Sequence, residues 1–419
     1  MCSRNMPCSR VRELNNAMNT ADLAKGELER ALEKRLRDLL EGVPLVRNLR
    51  IQRNPGLSER AFDIQATWAL PSGGRAELSV ECRAEPRPSQ FPQFVARFPY
   101  AACEQRFGQD KKRIFIRVPV FGAPFISRRM ADVCEKHNWS WYDLAGNCRL
   151  VVPGAIYIER TGFEPVHTSP HPSANLSSPE AARIIRALLS TENARRVWRQ
   201  RDLVFHFYSE LPNRMTEPSL GLVNKVIQHL RDESFIETPP AGGFRLRDPL
   251  GLLAAWRAAY RFDRNHRRSY FTLLHGPELQ GRLFSLQLNL QNVVPGGRAA
   301  YAAFSAAEFQ APHVRQPNTW LYVNVEAEEE FRKVTESKPV DSGENIVVLI
   351  PDDDGVFYPE FLTPPDTDPD SEFSIQRLAC TNPVQTYIDL CNCGERGEEG
   401  ANALLEQRLK PEWKRQGLL

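Results

Sequence analysis

Between Ser178 and Asp248 the apolar residues follow one helical period three times and then switch to a strand pattern. No other feature of the chain constrains its fold as much. Ser178-Pro179-Glu180 supplies a cap and a first turn, after which Ala182, Ile184, Ile185, Leu188 and Leu189 share one face. The segment RRVWRQRDLVFHF predicts a second short helix whose start is rich in arginine. After the polar turn Pro212-Asn213-Arg214, Leu222, Val223, Val226, Ile227 and Leu230 recur at helical spacing, with Ser219, Asn224, Lys225 and Gln228 pointing elsewhere. Phe235-Ile236-Glu237, the turn Ala241-Gly242-Gly243 and Phe244-Arg245-Leu246-Arg247 then predict a small hairpin. Three helices followed by a hairpin is the order of a winged helix-turn-helix, which lays one helix in a DNA major groove and its wing on the backbone.

In that arrangement Ser219, Asn224, Lys225 and Gln228 are the candidates for base edges or phosphates. Arg195, Arg196, Arg199 and Arg201 upstream, with Arg245 and Arg247 in the wing, are the candidates for neutralising phosphates. Glu217, Asp232 and Glu233 dilute the charge of the segment, and the same elements also build protein-docking modules. Across the chain 54 Lys+Arg stand against 52 Asp+Glu, a formal net charge of +2, so no global field draws the protein to nucleic acid. Affinity for double-stranded DNA has to come from this local patch.

The 419 residues are long enough for several domains, and the expected organisation is α/β and α+β multidomain. Residues 1–20 read as a disordered leader, 21–162 as an α/β domain and 163–178 (containing HTSPHPSANLSSPE) as a linker. The winged module is assigned 179–268, and 269–419 a mixed α+β domain interrupted by an acidic, Pro-rich loop at Pro364 to Asp370. No apolar run approaches a membrane span and the first residues lack a signal-peptide pattern, so a cytoplasmic location is expected. The nine cysteines are odd in number and scattered, which fits a reducing compartment better than a disulfide framework. Cys391 and Cys393 are too close for the usual zinc-finger pair and read as helix-end residues. Asp352-Asp353-Asp354-Gly355 follows the apolar run Ile346 to Ile350, a strand end where a metal site or an ordinary loop is possible.

In the first domain an amphipathic helix, Leu23 to Leu40, precedes strand candidates Val46 to Gln52, Ala61 to Leu70 and Arg75 to Cys82. A helix from Gln90 to about Arg106, a strand Arg113 to Val118, a helix Ser127 to His137 and two short strands follow. This is the order of the restriction-endonuclease-like core, in which an acid on the second strand and an acid-x-Lys on the third converge on a metal. Asp63 and Glu81 are the candidate catalytic carboxylates and candidate Mg²⁺ ligands, with Arg83 where that pattern has lysine. Arginine keeps the charge, but its pKa is too high for proton transfer with water. A Mg²⁺-dependent nuclease is therefore the second reading, and no cofactor is expected under the first. Asp143 and Asn147 read as caps of a turn at Gly146, and Glu395, Glu398, Glu399 and Glu406 as a solvated helix face.

Several longer strings carry a resemblance. Val80-Glu81-Cys82-Arg83 with Pro86 and Pro88, Trp141 to Leu150 (WYDLAGNCRL), and Arg247-Asp248-Pro249-Leu250 are three of them. Phe304-Ser305-Ala306-Ala307-Glu308, Asn382 to Leu390 (NPVQTYIDL) and Gly394 to Glu399 (GERGEE) are the others. Together they resemble the AbiEi-type antitoxin and transcriptional-regulator family of type IV toxin–antitoxin systems, in its long form with an endonuclease-like first domain. The resemblance implies a cytoplasmic regulator that represses its own operon through the winged helix and counters a nucleotidyltransferase-like toxin. Domain 269–419 is then expected to bind a partner, a toxin or a second copy in a homodimer, through exposed aromatics and acids around Trp320, Tyr322, Phe357, Tyr358 and Trp413.

Overall fold

The computed structural model describes residues 25–54, 62–71, 73–97, 104–107, 114–165, 174–210, 218–363 and 377–419. The leader, the Pro364 to Asp370 loop, residues 166–173 of the expected linker and the turn Pro212-Asn213-Arg214 lie outside the described residues. The chain forms two compact units, Met1–Ser173 and Ala174–Leu419.

In the first unit, α1 (Lys25–Glu41) buries Leu28, Leu32, Leu36 and Leu39, the seam that its i,i+4 spacing predicts. Strands β1 (Arg47–Arg53), β2 (Ile64–Ala69) and β3 (Gly74–Cys82) form an antiparallel meander. After α2 (Phe91–Arg97) and β4 (Glu104–Phe107), β5 (Ile114–Ala123) pairs parallel with β3. Beyond α3 (Arg128–Lys136), β6 (Ser140–Asp143) pairs parallel with β5, and β7 (Cys148–Val152) and β8 (Ile156–Arg160) finish the sheet as hairpins.

The helix expected from Gln90 to about Arg106 is shorter than its sequence pattern, because Glu104–Phe107 is a strand. β6 reaches only Val120 to Ala123 of β5, and β4 takes up the free edge from Ile114 to Arg117. Backbone donors and acceptors that would otherwise lack partners decide the matter there. The turn between β6 and β7 is locked as its residues predict. Asp143 Oδ1 accepts from the amides of Gly146 and Asn147, both at 2.8 Å, and Asn147 Nδ2 donates to Asp143 Oδ2 at 2.9 Å.

The second unit opens with α4 (Pro179–Leu189), α5 (Gln200–Glu210) and α6 (Leu220–Asp232), capped by Ser178 and Ser219 where a cap is present. The hairpin β9 (Ile236–Glu237) and β10 (Arg245–Leu246) gains a third partner ahead of α5, since Trp198 and Phe244 exchange backbone hydrogen bonds of 2.8 and 2.9 Å. Asp248 then caps α7 (Pro249–Ala259).

The remaining elements are β11 (His266–Phe271), α8 (Gly276–Val293), β12 (Ala299–Tyr301), α9 (Ala303–Gln310), β13 (Thr319–Val323), α10 (Glu328–Val334), β14 (Lys338–Pro339) and β15 (Ile346–Ile350). Short strands β16 (Phe361–Leu362) and β17 (Ala379–Cys380) precede α11 (Pro383–Leu390), α12 (Gly394–Leu404) and α13 (Lys410–Arg415). The strands form one sheet in the order β14-β11-β15-β13-β12-β17-β16.

One continuous core runs from Ile184, Trp198, Val226 and Trp256 to Phe304, Tyr387, Leu404 and Trp413. The helical module and the C-terminal helices are thus packed against each other rather than joined by a free hinge. This core corrects the expected aromatic partner surface. Tyr322, Phe357, Tyr358 and Trp413 are buried and Trp320 is half-buried, because rings of this size are the largest available source of apolar burial.

Candidate nucleic-acid interface

Helix α6 is two-faced. Val223, Val226, Ile227 and Leu230 are buried, and Asn224, Lys225 and Gln228 are exposed on the other side. Ser219 is exposed but its Oγ accepts from the Leu222 amide at 3.2 Å, so part of its hydrogen-bonding capacity is committed to the cap. Gln200, at the start of α5, donates to Asn224 Oδ1 at 2.9 Å. Gln228 donates to Asp232 at 2.9 Å and accepts from Arg231 at 3.1 Å. These contacts hold the polar side chains as a row along the helix.

The six candidate arginines separate into two kinds. Arg195, Arg199, Arg201 and Arg247 are exposed and, among the described residues, have no ion-pair partner. Arg196 lies over the Trp198 ring at 3.9 Å, and Arg245 Nε donates to Glu237 at 2.6 Å. A phosphate would find the first four uncommitted, whereas Arg245 exchanges one partner for another. Arg231 escaped the sequence reading because it falls at the apolar-to-polar border of the α6 pattern. It lines an open cleft of about 540 Å³ with Arg199, Arg201 and the hairpin residues Thr238 and Gly243.

Gly243 sets the position of the β9–β10 hairpin. Its φ is +82°, and a Cβ there would stand 2.7 Å from the Trp198 carbonyl oxygen. Gly243→Ala is expected to lower stability by about 1–3 kcal/mol from the left-handed backbone alone, with more from the clash. Thermal melting of the two proteins checks this; equal midpoints would show that the hairpin has no fixed position.

Behind this face, α4 is tied to the sheet domain by buried polar groups. Arg183 Nε donates to both carboxylate oxygens of Asp353, at 3.1 and 3.3 Å. Arg186 Nε donates to Gln385 Oε1 at 2.6 Å, and its guanidinium lies 5.3 Å from the Trp256 ring centroid. Gln385 Nε2 in turn reaches Tyr260 Oη at 3.0 Å and Asp389 Oδ1 at 2.7 Å, where Tyr322 Oη also donates at 3.0 Å. Burial pushes the Asp389 carboxyl up to about 7, against the opposing pull of these donors and of Arg186.

The string Pro383 to Leu390 is therefore an internal joint. The acid run after β15 is divided among separate tasks, with Asp353 on Arg183 and Asp354 accepting from Asn324 at 3.2 Å. Glu398 pairs with Arg257 at 2.7 Å and Glu399 with His313 at 3.3 Å, so part of that acidic face is paired. Cys391 and Cys393 flank the junction of α11 and α12.

In the first unit, Asp63 lies immediately before β2 and Glu81 near the end of β3, both buried. Each is occupied. Asp63 Oδ2 accepts from the Cys82 amide at 2.8 Å, its Oδ1 meets Lys25 Nζ at 2.9 Å, and Glu81 pairs with Arg83. Arg83 also lies over the Phe94 ring at 4.7 Å. The described residues contain no group of three His, Cys, Asp or Glu placed to hold a metal ion. Both candidate carboxylates face a cationic side chain, Lys25 for Asp63 and Arg83 for Glu81.

Among known proteins, residues 245–410 match the family model described as a transcriptional regulator, AbiEi antitoxin, of type IV toxin–antitoxin systems. The match begins at β10 and ends at the start of α13, so α4, α5 and α6 precede it. No curated protein and no solved structure matches the chain. No described helix is long and apolar enough to cross a membrane.

Proposed function

We propose that the chain is a DNA-binding transcriptional regulator of the AbiEi antitoxin type, acting in the cytoplasm on the promoter of its own operon. Its α4–α6 helices and β9–β10 hairpin serve as a winged helix-turn-helix, with α6 in the major groove. The observation that carries this reading is the packing of α4–α6 into one core with the segment that matches the antitoxin-regulator family. Asn224 and Gln228 face base edges, and Lys225, Arg199, Arg201 and Arg247 face phosphates. Two copies reading two half-sites would account for a symmetric operator. A toxin, where one is encoded beside this gene, is the further partner.

For the first unit we favour a restriction-endonuclease-like fold without nuclease chemistry. What supports this is the meander continued by parallel β5 and β6, together with the commitment of Asp63 to Lys25 and of Glu81 to Arg83.

A mobility-shift assay on the region upstream of its own gene tests the main reading. Wild-type protein is expected to shift that fragment with an affinity that falls steeply with salt. Asn224→Ala is expected to lose about 1–3 kcal/mol of discrimination at one base position, whereas Lys225→Ala weakens all sequences alike. Absence of any salt-sensitive shift removes the proposal.

A further inference from the structure

We infer that Arg231, with Arg199 and Arg201, forms a clamp for one backbone phosphate of the bound duplex. The inference rests on the DNA-binding reading and adds to it a residue and a place. The cleft lies where the start of α5, the last turns of α6 and the wing meet, and three guanidinium groups line it against one carboxylate, Asp202. Arg199 and Arg201 have no ion-pair partner among the described residues, and the Arg231 Nε is buried without a hydrogen-bond partner. Arg231 Nη1 is committed to Gln228 and its Nε is buried, so the group is held before any ligand arrives and Nη2 is the nitrogen left to face the cleft.

The chemistry of the cleft selects the ligand. Guanidinium forks match the oxygens of a phosphate in bidentate fashion, and the volume suits a phosphodiester rather than a folded macromolecule. The wing forms one wall. Gly243 lets its backbone approach Trp198 closely, and a side chain there would displace that wall. Gln200 spans from the start of α5 to Asn224, so a strand gripped in the cleft passes beside the exposed row of α6. One clamp thus fixes the register in which Asn224 and Gln228 meet the bases.

Fluorescence anisotropy of the full chain on its own promoter duplex, over a series of salt concentrations, tests the clamp. Losing one phosphate contact flattens the slope of log K against log salt by about 0.9 and weakens binding about fivefold at physiological salt. Arg231→Ala is expected to show that change equally on specific and unrelated duplexes, and Arg231→Lys to restore the slope. Because the Arg231 Nε is internal, the surface double variant Arg199→Ala/Arg201→Ala serves as a second probe, with the same change in slope of about 0.9, since both side chains act on the one phosphate.

A wild-type protein that binds no duplex overturns both the function and the clamp. Normal wild-type binding with unchanged slopes in folded variants overturns the clamp alone. Inorganic phosphate, added at constant ionic strength, separates the other source of the same chemistry. If it raises the melting temperature through Arg231 while the duplex slopes stay unchanged, the cleft holds free anions and the proposal falls.

Discussion

Arg186→Ala is expected to destabilise the Ala174–Leu419 unit by about 3–5 kcal/mol, the usual cost of leaving a buried charged network without one member. Arg186 is almost completely buried and is held from three directions. It donates to Gln385, stands 3.8 Å from Asp353 and lies against the face of Trp256. Removing the guanidinium leaves Gln385 Oε1 without its donor in an apolar surrounding, which is where an unmade hydrogen bond costs most. It also takes one of two arginines from Asp353 and leaves a cavity beside Trp256. Because Arg186 lies on α4, the loss should loosen the helices that carry the candidate DNA face. Urea unfolding of the full chain, with the transition of this unit followed separately, provides the number. A loss below about 1 kcal/mol, the range of an exposed ion pair, would mean that α4 is not held by this network.

The same network makes stability depend on pH in a direction opposite to that of most carboxylates. The Asp389 carboxyl is raised to about 7 in the folded chain, chiefly by burial, from an ordinary value of 3.8. A raised pKa means that the folded state holds the proton more tightly than the unfolded chain. Its contribution is complete below about 4 and is lost as pH rises through about 7. Some three pH units at 1.36 kcal/mol each give a loss of about 4 kcal/mol across that window. Asp389→Asn keeps an acceptor in place of Oδ1 for Tyr322 and Gln385 while abolishing the titration. The variant is therefore expected to match the wild type near pH 4 and to be the more stable protein near pH 7. Chemical denaturation at both pH values checks this. Parallel pH profiles for the two proteins would show that Asp389 is not the titrating group.

Much of the local structure was legible from residues alone. The period of Leu28, Leu32, Leu36 and Leu39 specifies α1, and Ser178 marks the start of α4 with the cap hydrogen bond that its side chain predicts. Ser219 and Asp248 also cap helices, a role that the reading of Ser219 as a groove-facing residue passed over. Asp143 and Asn147 close their turn as short polar side chains beside a glycine do. Exposure of Asn224, Lys225 and Gln228 follows from the apolar face of α6, because a helix that buries one side must show the other.

Long-range partnership was not legible. Nothing near Arg183 or Arg186 in the chain announces Asp353 and Gln385, which lie 170 and 199 residues away. Tyr322, Phe357, Tyr358 and Trp413, expected on a partner surface, turned inward for the same reason, while Glu395, Glu399 and Glu406 stayed exposed. Composition records that a ring or a carboxylate is present, and only the packed neighbours decide whether it is solvated, paired or buried. Glu104–Phe107 became a strand because β6 leaves half of one edge of β5 without a partner. Arg231 joined Arg199 and Arg201 because α5 packs on α6 and the β9–β10 hairpin pairs with Trp198 just ahead of α5. Local sequence thus determined the helices, caps, turns and exposed faces, which depend on residues within a few positions of one another. The Glu81–Arg83 pair is equally local, since alternate residues of a strand share a face. The cleft, the joint between α4 and α11 and the pairing of Asp63 with Lys25 were decided by tertiary structure, since each requires distant segments to meet and satisfy each other's charges.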